Sequence, residues 1–148
     1  TITNLFIKYD IHFDNICFVN IIEETCIYLK SIIENNLNFN IYLWSSKYTY
    51  DENNYHHYLN NYKIEPNNQE KKIITLINNI KANNDSDIEY YKELIDETKN
   101  NSYVILGCTE LPIIKQKLLN YNKLINKNII YIDCNEIYAQ KLWDNYKK

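Results

Sequence analysis

The chain has 148 residues and a mass of 17.9 kDa; 45% of its residues are hydrophobic, 24% are charged, and the formal net charge is -3. That length suits about one domain, the apolar content excludes a disordered chain, and no apolar run approaches the roughly 18 residues of a membrane-spanning helix. The sequence pI of about 5.6 argues against a nucleic-acid-binding protein, which would carry a basic patch.

Apolar periodicity and turn residues divide the chain into alternating helices and strands. The predicted elements are, in chain order, a polar amphipathic segment at Asn4–Phe13, an apolar run at Ile16–Ile22, a helix at Glu23–Ile33, a strand at Asn40–Trp44, helices at Asp51–Asn61, Lys71–Lys81 and Asp87–Lys99, a strand at Tyr103–Leu106, a helix at Leu111–Leu124, a strand at Ile129–Ile132 and a helix at Asn135–Tyr146. Asn-rich stretches near Asn35 and Asn83 are predicted loops. Strands separated by helices of this length predict parallel βαβ units in an α/β fold.

Glycine and proline are scarce, and the stretch Tyr103–Pro112 holds the only Gly and one of the two Pro. The chain contains one Gly and two Pro, and all sixteen of its basic residues are Lys, a composition typical of A/T-rich codons. A codon bias toward A and T removes glycine, so a glycine that is retained is one that the backbone needs. The single glycine, Gly107, ends the predicted strand Tyr103–Leu106 and directly precedes Cys108. The Cys108 thiol should therefore emerge at the carboxyl end of a strand, where ligands bind in open α/β sheets.

The residues after Gly107 predict a reactive, anion-binding turn. Thr109 can cap the helix that follows, and Pro112 suits its first turn. Unpaired N–H groups at a helix start attract anions, and the same helix end should lower the pKa of Cys108 and favour its thiolate. Glu110 is expected to stabilise the helix terminus or to orient Thr109.

Three stretches resemble the aspartate/glutamate racemase superfamily. The run VILGCTELPII, which holds Cys108 and Thr109, is similar to the second signature of that family. LWSSKYT resembles the family's strand followed by "GTKYT", with Ser46 and Thr49 at its two hydroxyl positions, and YIDCNEIYA resembles its closing "IDSTEIHA" segment. The helix ending at Lys81 resembles a family helix whose final Lys can approach the substrate.

The resemblance implies an architecture of two similar lobes with the active site between them. It extends over nearly the whole chain, which corresponds to about the last two-thirds of a family member. On that basis residues 1–20 finish the first lobe, residues 21–126 form the second α/β lobe, and residues 127–148 return to pack on the first lobe. A homodimer is implied as well.

The resemblance also implies a function: a racemase or epimerase that acts on a small acidic amino acid, aspartate or glutamate, without pyridoxal phosphate or any other cofactor. Two cysteine thiols would transfer protons on opposite faces of the α-carbon. Cys108 matches the second of these cysteines. Thr109, Ser46, Thr49 and Thr1 would bind carboxylates, with Lys81 as a weaker candidate. No metal site is expected, because the histidines lack partner ligands at suitable spacing.

The first cysteine of the family belongs to a segment like "CNTxH", which would lie just before Thr1. Ser45 replaces a family Gly, Tyr138 stands where His is usual, and no Arg is present to clamp a carboxylate. Two alternatives therefore stay open. One is a single-cysteine lyase or isomerase of a dicarboxylate, and the other is an inactive member that binds an acidic ligand or a partner subunit.

The remaining expectations concern compartment and partners. Four cysteines without a C-x-x-C pair predict free thiols in a reducing compartment, and the absence of a signal-peptide pattern favours the cytoplasm. The expected partner is a small acidic amino acid, and neither nucleic acid nor a membrane is expected.

Overall fold

The computed structural model describes residues 18–33, 39–65, 68–83 and 90–147. The predicted segment at Asn4–Phe13, the Asn-rich stretch near Asn35, the candidate Thr1 and the first two residues of the run Ile16–Ile22 lie outside these ranges. Within them, no helix combines the length and the apolar character needed to cross a membrane.

The described elements alternate between helices and strands, as predicted. They are α1 (Ile21–Ile33), β1 (Asn40–Trp44), α2 (Lys47–Asp51), α3 (Asn54–Tyr58), α4 (Glu70–Lys81), α5 (Tyr90–Glu97), β2 (Ser102–Leu106), a 3-10 turn (Leu111–Ile114), α6 (Lys115–Leu124), β3 (Ile129–Asp133) and α7 (Cys134–Tyr146). The predicted strand Asn40–Trp44 has the observed bounds, and the other two strands each gain one residue.

The three strands form one parallel sheet in the order β1-β2-β3, which confirms the predicted α/β fold. The register aligns Trp44 with Leu106 and Leu106 with Asp133, so all three strands end at the same edge. An isolated parallel bridge joins Ile64 to Ile41 on the outer side of β1. The sequence analysis missed this bridge because a single bridged residue carries no strand periodicity.

Helices cover both faces of the sheet, since side chains along a strand alternate between its two faces. On one face Trp44, Leu106 and Tyr131 pack with the buried sides of α4, α5 and α6. On the other face Leu43 and Ile105 pack with the buried sides of α1 and α3. This layering places the strand ends between helices of both layers.

Two predicted helices are interrupted. The helix predicted at Asp51–Asn61 is instead the short helices α2 and α3, because Asn53 between them adopts a left-handed conformation with φ 52°. The helix predicted at Leu111–Leu124 begins as a 3-10 turn with Pro112 in its first positions and becomes α-helical only at Lys115. Proline lacks the N–H that an α-helical bond needs, so the tighter turn is favoured there.

Asparagine replaces glycine at the left-handed positions of this chain. Among the described residues, every positive φ belongs to an asparagine: Asn53, Asn83, Asn101 and Asn126. Asparagine tolerates this conformation better than other residues with a Cβ, so a chain with one glycine can still turn.

Gly107 is required by close packing rather than by its backbone angles, since its φ is not positive. Its N–H donates to the Trp44 carbonyl at 2.8 Å, which continues the pairing of β1 and β2 beyond the strands. A Cβ built at Gly107 would lie 2.7 Å from Leu43 Cδ1 and 3.3 Å from Ser45 Cβ. Only glycine allows the two strand ends to approach this closely.

The last helix packs beside the first described one. Lys141 of α7 forms an ion pair with Glu24 of α1 at 3.0 Å. The lobe boundaries given above for residues 1–20, 21–126 and 127–148 stay predictions.

We predict that Asn53→Ala lowers the free energy of unfolding by about 1 kcal/mol, because a Cβ without a side-chain amide is disfavoured in the left-handed region. Asn53→Gly should preserve or slightly raise stability. Urea unfolding measures both, with Asn54→Ala in the helical position next door as the matched control. Equal losses for Asn53→Ala and Asn53→Gly would contradict the backbone explanation.

We predict that Gly107→Ala costs about 1–3 kcal/mol of unfolding free energy, because the new methyl overlaps Leu43 Cδ1. Leu43→Val removes that atom, so the cost of Gly107→Ala should fall in the Leu43→Val background. The four proteins form a double-mutant cycle in urea unfolding. Strictly additive losses would show that the overlap with Leu43 is not the cause.

Candidate functional site

The carboxyl edge of the sheet collects the polar residues that the sequence singled out. Ser46 and Cys108 each lie two residues beyond the register partners Trp44 and Leu106. Adjacent strands are about 4.8 Å apart, so these two residues start from neighbouring strand ends. This edge of the sheet therefore brings together polar side chains from segments that are distant in the chain.

Ser46 and Thr49 form a pair of hydroxyls at the end of β1. Ser46 has extended backbone angles and caps α2, where its Oγ accepts a hydrogen bond from the Thr49 N–H at 3.3 Å. The two hydroxyl oxygens are 3.0 Å apart. The capping geometry holds the two hydroxyls side by side in one hydrogen bond, so one of them donates to the other and one hydroxyl proton is left for a ligand.

The turn after β2 brings a thiol, a hydroxyl and an ammonium to one carboxylate. The Cys108 thiol donates to Glu110 Oε2 at 2.7 Å, and the Thr109 hydroxyl donates to the same oxygen at 3.2 Å. Lys81, at the end of α4, places its Nζ 3.2 Å from Glu110 Oε1. The sequence placed Cys108, Thr109 and Lys81 near one another but missed that Glu110 joins all three.

The prediction of an easily formed Cys108 thiolate is wrong. Burial, and then the hydrogen bond to Glu110, raise the pKa of the Cys108 thiol to about 11. The same hydrogen bond is the largest cause of a lowered pKa of Glu110, to which its own backbone N–H and the contact with Lys81 also contribute. Near neutral pH the pair is therefore a thiol and a carboxylate, with the proton held on sulfur.

The sequence predicted that Thr109 caps the following helix, and the structure contradicts this prediction. The first turn is the 3-10 turn, and its cap position is Glu110, whose side chain makes no capping hydrogen bond. Cys108 instead contributes its carbonyl, which accepts the Leu111 N–H at 3.1 Å. The cap position is therefore Glu110 rather than Thr109, and the Thr109 hydroxyl donates to the Glu110 carboxylate instead.

Residues at the end of β3 and the start of α7 support the turn that follows β2. Asp133 caps α7 by accepting the N–H groups of Asn135 and Glu136, each at 3.1 Å, and Asn135 Nδ2 donates to the Thr109 carbonyl at 2.9 Å. Lys115 bonds Asp133 at 3.2 Å and Glu136 at 2.7 Å. A capping pattern after the strand was visible in the sequence, whereas the link from Asn135 to Thr109 depends on strand pairing.

Thr1, the remaining candidate, lies outside the described residues. Within those residues, no group of three or more His, Cys, Asp or Glu side chains could hold a metal ion. Two open grooves of about 420 Å³ are not lined by Cys108; one lies between α1 and α7, and the other lies along the outer edge of β1.

Comparison with known proteins identifies one informative likeness. No protein-family model and no curated protein sequence matches the chain. Among solved structures, the chain resembles the Picrophilus torridus aspartate racemase with a TM-score of 0.61 and 22% sequence identity. The alignment covers 91% of this chain and 57% of that one.

This likeness shows the fold: the described residues adopt an α/β arrangement similar to part of an aspartate racemase. The chain spans only a little over half the length of that solved chain. The α/β fold predicted from the sequence is thus confirmed for the described residues.

We predict that alkylation of Cys108 by iodoacetamide accelerates about tenfold per pH unit above neutral and levels off near pH 11, because only the thiolate reacts. Mass spectrometry of the Cys108 peptide over a pH series measures the rate. Cys134, which is 2% exposed, should react more slowly in the same digest. A plateau reached by pH 8 would contradict a thiol that Glu110 keeps protonated.

Proposed function

We propose that this protein is a cofactor-independent racemase or epimerase of a small acidic amino acid, aspartate or glutamate. One observation carries the proposal: the Cys108 thiol lies at the carboxyl end of β2 beside Thr109 and Lys81, and the hydroxyl pair of Ser46 and Thr49 ends the neighbouring strand. The likeness in fold to an aspartate racemase supports it.

The proposed carboxylate ligands are hydroxyls and one ammonium. Ser46 and Thr49 place a pair of hydroxyls at one strand end, and Thr109 places a third at the next. Lys81 would supply the positive charge that an arginine would otherwise provide. Thr1 is proposed as a further hydroxyl ligand. Hydrogen bonds to the α-carboxylate stabilise the charge that develops when the α-proton leaves.

The proposed chemistry is proton transfer by thiols. Cys108 would exchange a proton with the α-carbon on one face, and a second group would do so on the other face. We propose that this second group belongs to the first lobe, with the site between the lobes. Homodimerisation is part of the same proposal. The described cysteines Cys26, Cys108 and Cys134 are free, which suits the cytoplasm we propose.

A second candidate function is a single-thiol lyase or isomerase of a dicarboxylate. The observation in its favour is the protonation of Cys108, since a thiol held by Glu110 can donate a proton without first being deprotonated. The two candidates differ in whether the α-proton exchanges with inversion at carbon.

We predict that the protein incubated with L-aspartate in heavy water replaces the α-proton by deuterium and accumulates D-aspartate, with L-glutamate assayed in parallel. Proton NMR follows the exchange, and chiral chromatography follows the enantiomer. Cys108→Ser should reduce the exchange rate at least about 100-fold, because a hydroxyl is a much weaker acid than a thiol.

Cys26→Ser is the matched control, because Cys26 is a buried thiol on α1, and it should keep the exchange rate of the parent protein. Exchange without D-product would favour the single-thiol alternative. Absence of exchange with both amino acids would overturn the racemase proposal.

A further inference from the structure

We propose that in the free protein the Glu110 carboxylate engages the donors that a bound carboxylate needs, and that it gives up Lys81 and Thr109 when the ligand arrives. Glu110 is then a positioning residue that competes with the ligand while it holds the Cys108 proton. This inference rests on the proposed function, which places a carboxylate ligand at Thr109 and Lys81.

The geometry of the donors carries the inference. One oxygen of Glu110 accepts from Cys108 and Thr109, at 2.7 and 3.2 Å, and the other lies 3.2 Å from Lys81 Nζ. A ligand carboxylate has the same two oxygens and the same charge. A hydroxyl has a single proton to donate, so the ligand can accept from Thr109 only by displacing Glu110. Lys81 has three N–H donors, and for it the ligand competes with Glu110 through charge.

Burial decides which partner moves. The Lys81 side chain is 55% exposed and stands at the last residue of α4, whereas the Glu110 side chain is 22% exposed. The Glu110 backbone is fixed within the turn, since its carbonyl accepts the Ile113 N–H at 3.0 Å. A long, flexible lysine at a helix end can swing toward a ligand while Glu110 stays beside Cys108.

The exchange has a consequence for the proton on Cys108. Lys81 lowers the pKa of Glu110, after the larger effect of the Cys108 hydrogen bond. Lys81 lowers the pKa of Glu110 through both a hydrogen bond and its charge, but it lowers the pKa of Cys108 through its charge alone. When Lys81 turns to the ligand, Glu110 therefore becomes a stronger base relative to the Cys108 thiolate. The S–H bond of Cys108 then breaks, its proton forms an O–H bond on Glu110, and the electron pair stays on sulfur. That thiolate takes the α-proton, and the C–H electron pair remains on the α-carbon. Ligand binding thereby forms the Cys108 thiolate, which is protonated in the free protein.

The test uses succinate, a dicarboxylate, to protect Cys108 from iodoacetamide in the full chain. The half-protecting concentration is measured relative to the unprotected rate of each variant. Glu110→Gln should lower that concentration about tenfold, because the competing charge is gone. Lys81→Met should raise it about tenfold, and Lys81→Arg should restore most of the protection. A higher or unchanged concentration for Glu110→Gln would overturn the inference.

The ion pair of Lys72 and Glu97 supplies matched controls. It also joins a lysine of α4 to a glutamate, but it lacks a thiol. Lys72→Met and Glu97→Gln should leave succinate protection unchanged. A change in these variants equal to that of Lys81→Met and Glu110→Gln would show a general charge effect and overturn the specific role of Glu110.

Turnover separates this inference from the proposed function. In Glu110→Gln, KM should fall, whereas kcat should fall near neutral pH and rise about tenfold per pH unit until the thiol titrates. If Glu110→Gln lowered the free energy of unfolding without lowering KM and without this pH dependence of kcat, its role would be structural and the inference would be overturned. If the protein never exchanges an α-proton, the racemase proposal fails, whereas the protection data still decide the role of Glu110. Absence of succinate protection in every protein would overturn both.

Discussion

The parallel pairing of β1, β2 and β3 is the constraint on which the rest of the structure depends. Because Trp44, Leu106 and Asp133 share one register, the segments that follow them emerge at a single edge. The pairing extends to Gly107, whose missing side chain lets β1 and β2 approach beyond their last residues. A Cβ at this position would overlap Leu43 Cδ1, which would have to move.

Scarcity of glycine shaped how the chain makes its turns. The described left-handed positions are occupied by asparagines, which accept this conformation at moderate cost. The single glycine was kept where no other residue fits, against Leu43 and Ser45. In the described residues, asparagine therefore provides the left-handed backbone conformations. Glycine provides the close approach of β1 and β2, which requires a residue without a Cβ.

The electrostatics of the edge centre on Glu110. Its carboxylate stabilises the protonated form of Cys108 and neutralises Lys81, so the free site presents neither a thiolate nor an unpaired cation. Lys115 is likewise paired, with Asp133 and Glu136. An acidic ligand would enter a site whose positive charges are already balanced, and its binding energy would be used in part to rearrange these pairs.

Local sequence determined the order of the elements, the parallel α/β class and the place of Cys108 after β2, because apolar periodicity, Gly107 and Pro112 act on neighbouring residues. Local signals did not determine the protonation of Cys108 or the role of Glu110. Those depend on burial and on an ammonium that α4 delivers from a distant part of the chain. Through-space charge and desolvation follow from packing, so only the tertiary structure decided that the candidate thiol is held as an acid.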